Sequence, residues 1–157
     1  MEAVIDVSEY EIERGKPMPD TIHGAIQSNL SFELQLHYRQ TYRILSELSL
    51  ATEPDGTTPD LAVYPNFSLD FDNRTAKRTD APLLCIEIQS PSQSLEQMVD
   101  KTAVYFAFGV RSCWIVAPAV KGIFVYDRPG HYRFFYDTET LRDSTLDIEL
   151  DLAAVFA

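Results

Sequence analysis

The spacing of apolar positions divides the chain into a helix, several strands, a second helix and further strands. "EYEIERGKPM" alternates around Gly15, which predicts a short hairpin or a pair of edge strands. Asp20 then supplies an N-cap, and "IHGAIQSNLSFELQLHYRQ" carries Ile22, Ile26, Leu30, Leu34 and Leu36 or Tyr38 near helical spacing, which predicts a helix with one buried side. "YRILSELSLAT" alternates as a single strand, closed by the turn "EPDGTT". "PDLAVYP" is a short strand, followed by the polar loop "NFSLDFDNRTAKRTDAP" and the strand "LLCIEIQ". Ser94 and Gln97 stand at capping-box spacing, so a helix is expected from Leu95 to Phe108, stopping at Gly109. "SCWIVAP" returns as a strand parallel to "LLCIEIQ" in a right-handed βαβ unit. "GIFVYD", "RPGH" and "YRFFYD" form an antiparallel hairpin, and the chain ends with a strand-like "TLDIEL" and an amphipathic "DLAAVF". The expected class is α/β (α+β), a mixed central sheet flanked by helices.

Composition narrows this picture without changing it. The 157 residues are one domain's worth, so a single domain over 1–157 is expected. Hydrophobic residues make up 45% and charged residues 24%, a globular balance. No apolar run reaches the roughly 18 residues of a membrane span. The acidic opening "MEAVIDVSEYEIERGK" is unlike a secretory signal, and a cytoplasmic protein with no membrane partner is expected. Cys85 and Cys113 lie in strand-like runs and are expected as reduced, buried small hydrophobes. The net charge of −11 disfavours nonspecific binding to a phosphate backbone unless a divalent cation inverts the local field or a dimer gathers the basic residues in a groove.

One strand conflicts with its own burial. In "LLCIEIQ" the face carrying Leu83 and Cys85 continues into Glu87 and Gln89, although a buried unpaired charge is costly. If "PDLAVYP" pairs antiparallel with it across the intervening loop, Asp60 falls opposite Glu87. Two facing carboxylates repel and call for a cation between them, and Mg²⁺ or Mn²⁺ suits such oxygen donors. Taken alone, Asp60 also fits a turn residue after proline. Lys101 lies within a second apolar patch of the later helix, i to i+4 from Tyr105. Its amine either snorkels to water or aims at the strand bearing Glu87.

The motif "PD", then "EIQSPS", then "DK" on the next helix resembles the PD-(D/E)XK nuclease superfamily and, within it, the Uma-two family of restriction-endonuclease-like proteins. The likeness extends through "YEIERGKPM", "HGAIQSNL", "TPDLAVYP", "LCIEIQSPSQSLEQMVDKTAVYFAFGVRSCWIV" and "LDIELDLAAVF". It implies a restriction-endonuclease-like core in which Asp60 and Glu87 hold Mg²⁺ or Mn²⁺ with the Ile88 carbonyl. In that superfamily a lysine two positions beyond the second acid helps activate water. Here Gln89 stands there, an amide that can only orient a water or a ligand, and Lys101 matches the shifted lysine of the family. His23 matches a position where the family often has histidine, suited to proton transfer or phosphate contact, and a surface or capping histidine is the alternative. Glu47 is a weaker candidate carboxylate. The implied activity is metal-dependent hydrolysis of phosphodiester bonds, with DNA as partner and a homodimer as the assembly. The alternative is a catalytically inactive nuclease-fold protein acting as a binding or regulatory module.

Overall fold

The structure is a computed structural model that describes residues 16, 17 and 19–157. The hairpin expected over "EYEIERGKPM" lies outside the described residues apart from Lys16 and Pro17. Helix α1 spans Thr21–Tyr38, and its Asp20 cap accepts the His23 N–H at 2.8 Å. Its buried line is His23, Ile26, Leu30 and Leu34. Ile22 and Leu36, expected to face the core, are 56% and 61% exposed. His23 takes the inward position of the first turn, and the 100° step between neighbours turns Ile22 outward.

Strand β1 (Tyr42–Ser46) ends earlier than the alternation predicted, and β2 is only Ser49–Leu50. Between them Glu47 adopts a left-handed φ of 54° and its N–H bonds the Asp60 carbonyl at 3.1 Å. That long-range bond breaks the strand, and β2 instead pairs in parallel with a two-residue strand, β4 (Lys77–Arg78), inside the expected loop. The other strands are β3 (Leu61–Pro65), β5 (Leu84–Ile88), β6 (Ser112–Ala117), β7 (Gly122–Arg128), β8 (His131–Tyr136), β9 (Thr140–Asp143) and β10 (Ile148–Asp151). Helix α2 spans Leu95–Phe108 with the full Ser94–Gln97 capping box and Gly109 at φ 114°, as the sequence predicts. A four-residue α3 (Leu152–Val155) follows β10.

Among the described residues the main sheet has the order β1-β3-β5-β6-β7-β8, and within it only β5 and β6 run parallel. Pairing in the rest of the sheet is antiparallel. One face buries Ile86, Ile88, Trp114 and Val116 against Ile26, Leu30 and Leu34 of α1, with Leu152 and Val155 of α3 in the same cluster. The other buries Cys85, Cys113 and Ile115 with Met98 and Tyr105 of α2. Leu83, expected on the Cys85 face, precedes β5 and packs with the α1 cluster. The two cysteines are register partners across β5 and β6 and remain free thiols. The β9–β10 hairpin was not legible as such, since "TLDIEL" forms a strand only from Ile148.

Asp143, at the end of β9, fastens this hairpin to the main sheet. Its buried carboxylate accepts from the Ser112 hydroxyl, from Trp114 Nε1 at 2.8 Å, and from the N–H groups of Thr145 and Leu146 at 3.0 and 3.2 Å. Truncation strands several buried donors at once. Asp143→Ala is expected to destabilise the fold by about 3 kcal/mol in urea denaturation, and Asp143→Asn, which keeps an acceptor oxygen, by less.

Candidate active site

The pairing of β3 with β5 sets the geometry. Leu61 stands opposite Ile86, Ala62 opposite Cys85 and Val63 opposite Leu84. One step further, the same register carries Asp60 opposite Glu87, the arrangement that the two acids suggested. Asp60 is completely buried and Glu87 is 3% exposed. The Asp60 main chain is pinned as well, its carbonyl accepting from Glu47 N–H and from Gln27 Nε2 at 3.1 Å each.

Each carboxylate has one oxygen held by the fold. Asp60 Oδ2 accepts the Ile88 N–H at 2.7 Å and lies 3.2 Å from His23 Nε2. Glu87 Oε1 accepts the Tyr105 hydroxyl at 2.5 Å and lies 3.7 Å from Lys101 Nζ. The other two oxygens meet a residue that the sequence did not point to. Lys16 Nζ lies 2.7 Å from Asp60 Oδ1 and 3.4 Å from Glu87 Oε2, with the lysine only 8% exposed.

Asp60, Glu87, Lys101 and His23 thus converge. Ile88 takes part through its N–H, and in an extended strand its carbonyl turns to the same β3 side. Gln89 lies past the end of β5, where its Nε2 donates to the Gln93 carbonyl at 2.9 Å and Gln93 Oε1 accepts the Ser90 N–H. Its side chain braces the loop before α2. Glu47 abuts the site through its backbone. Lys16 was missed because 44 and 71 residues separate it from its two partners, a distance no local pattern bridges. Tyr105 carried a signal, its i+4 spacing to Lys101. The buried line of α2 is Met98, Thr102 and Tyr105.

Burial would push the Asp60 carboxyl upward, but the His23 hydrogen bond and the Lys16 charge outweigh it and hold the group at about 2. The Tyr105 hydroxyl is driven well above its ordinary value by burial and by the Glu87 charge, which keeps it a donor to Glu87. His23 Nδ1 is buried without a partner among the described residues.

The donor set fits a hard cation. One ammonium, that of Lys16, already contacts an oxygen from each acid. Among the described residues no three His, Cys, Asp or Glu side chains cluster to hold a metal. Two carboxylates, a carbonyl and water are the ligands of Mg²⁺ or Mn²⁺, whereas zinc sites draw on nitrogen and sulfur.

The family model described as "Uma2: Putative restriction endonuclease" matches residues 6–154. A crystal structure of a protein from Anabaena variabilis, described as a "putative nuclease", is similar with a TM-score of 0.75 and 23% identity, over 89% of this chain and 83% of that one. At that identity the likeness is one of fold. No curated protein matches the chain.

The depressed Asp60 pKa has a pH signature. A carboxyl at about 2 in the folded chain, against an ordinary 3.8, stabilises the fold above pH 4 and stops doing so as pH falls through 2. Urea midpoints of the metal-free protein should lose about 2 kcal/mol between pH 4 and 2 that Asp60→Asn does not lose.

Proposed function

The chain belongs to the Uma2 family, and on that premise we propose that it is a Mg²⁺- or Mn²⁺-dependent nuclease that hydrolyses phosphodiester bonds in DNA. The observation that carries the reading is the buried Asp60–Glu87 pair, two acids opposed across β3 and β5 and both contacted by the one Lys16 ammonium. Asp60, Glu87 and the Ile88 carbonyl would hold the ion. When bound, it supplies Lewis acidity toward the phosphate and a water of lowered pKa.

The chain's own groups do the rest. His23 and the Ile88 N–H fix the Asp60 carboxylate, and Tyr105 fixes Glu87, so both acids keep their orientation without reorganising. Lys101, whose side chain is 27% exposed beside Glu87, presents an ammonium to solvent at the edge of the site. There it orients the attacking water or stabilises charge developing on phosphate oxygens, the work that Gln89 cannot do. Cytoplasmic location and a homodimer belong to the same reading. No helix among the described residues is long and apolar enough to cross a membrane.

A second reading, a nuclease fold that works by binding alone, is favoured by one observation: Lys16 and Lys101 together already satisfy both acids without a metal. Cleavage separates the two. Purified protein with Mn²⁺ or Mg²⁺ should cut mixed DNA substrates, chelation should abolish cutting, Asp60→Ala and Glu87→Ala should reduce it to background, and Lys101→Ala should lower the rate about a hundredfold or more. Cutting that persists equally in the Glu87→Ala and Lys101→Ala proteins would remove the nuclease assignment.

A further inference from the structure

The two lysines of the site stand in different places. Among the described residues, the acid that Lys101 reaches is Glu87, at Oε1, the oxygen that Tyr105 also holds. Lys16 lies between the acids, on Asp60 Oδ1 and Glu87 Oε2, the oxygens that face it. An ammonium is a compact point charge, and a divalent ion drawn to the same two oxygens would meet it at contact distance, where like charges repel strongly in a water-poor site. Lys101 can remain when such an ion binds; Lys16 cannot stay where it is.

We propose that Lys16 is a tethered counter-ion that competes with the divalent cation for the Asp60–Glu87 pair, so that this one lysine sets the affinity of the site for metal. The inference rests on the metal-site reading above and adds to it a residue outside the implied ligand set. Metal loading then requires two events: the ammonium leaves, and the cation enters. The apparent affinity is reduced by the fraction of molecules in which Lys16 has already withdrawn.

The test is Mn²⁺ titration of the full chain by calorimetry, with thermal melting in the presence and absence of Mn²⁺. Lys16→Met keeps most of the aliphatic stem and removes the charge. It should bind Mn²⁺ about tenfold or more tightly than the unaltered chain. Lys101→Met removes the same charge from beside the pair rather than between its members, and its gain should be clearly smaller. Lys16→Met leaves the acids facing without the ammonium between them, so it should melt lower without metal and show the larger rise on adding Mn²⁺. Lys16→Gln, which keeps a donor to the carboxylates, serves the same comparison if the methionine variant folds poorly. Equal or weaker Mn²⁺ binding in the Lys16 variants, with binding still dependent on Asp60, overturns the competition and leaves the metal site standing. An equal gain in the Lys16 and Lys101 variants reduces the effect to general charge and also overturns it. Absence of Mn²⁺ binding in every protein, Lys16→Met included, overturns both the competition and the metal-site reading.

Discussion

Two carboxylates face each other across the β3–β5 pair where water is nearly excluded, and the surrounding structure is arranged to make that tolerable. Burial disfavours each charge and proximity disfavours both together, so the pair persists only with close counter-charges and donors. They come from four separate places: Lys16 before α1, His23 within α1, the β5 backbone at Ile88, and Tyr105 with Lys101 on α2. The sheet's two covering layers therefore meet at this point through polar contacts, whereas elsewhere they meet β5 through hydrocarbon.

The topology explains why the acids sit here. β5 is the strand whose partners differ in sense, antiparallel β3 on one side and parallel β6 on the other. Its parallel partner demands a crossover, and α2 supplies it, covering one face while α1 covers the other. A strand covered on both faces must be apolar along its length. Polar function is accommodated where the strand ends, and the carboxyl end of β5, at this change of sense, is the place where open sheets form binding crevices.

What was legible in the sequence follows the range of the interactions responsible. The capping box and Gly109 fix α2 to the residue because both act within a single turn. The β3–β5 register was legible because two acids in apolar strands have few tolerable partners other than a shared cation, and that condition selects one pairing. The break at Glu47 was not, because it is imposed by the carbonyl of Asp60, thirteen positions on, and nothing in "YRILSELSLAT" interrupts the alternation. Ile22 and His23 exchanged roles for a related reason. Propensity favours the isoleucine inside, but the histidine gains a hydrogen bond to a buried carboxylate that no apolar side chain offers.

The acidity of the chain, which at first opposes a nucleic-acid substrate, takes a different meaning at the site. Among the described residues two acids face two lysines, and these charges largely offset, leaving little local field of their own to draw a phosphate in the metal-free state. Two basic residues elsewhere are already engaged: Arg78 is tied to Asp80 by two hydrogen bonds and stacked over Tyr64, and Arg43 donates to the Phe67 carbonyl. On the proposed reading, a divalent ion entering between Asp60 and Glu87 makes the pocket positive, and an ammonium displaced from between them remains on the same short segment of chain. Attraction for phosphate then arises at the reacting centre and only when the centre is loaded. On that reading, a chain of net charge −11 uses a metal to do locally what a basic surface does in nucleic-acid-binding proteins.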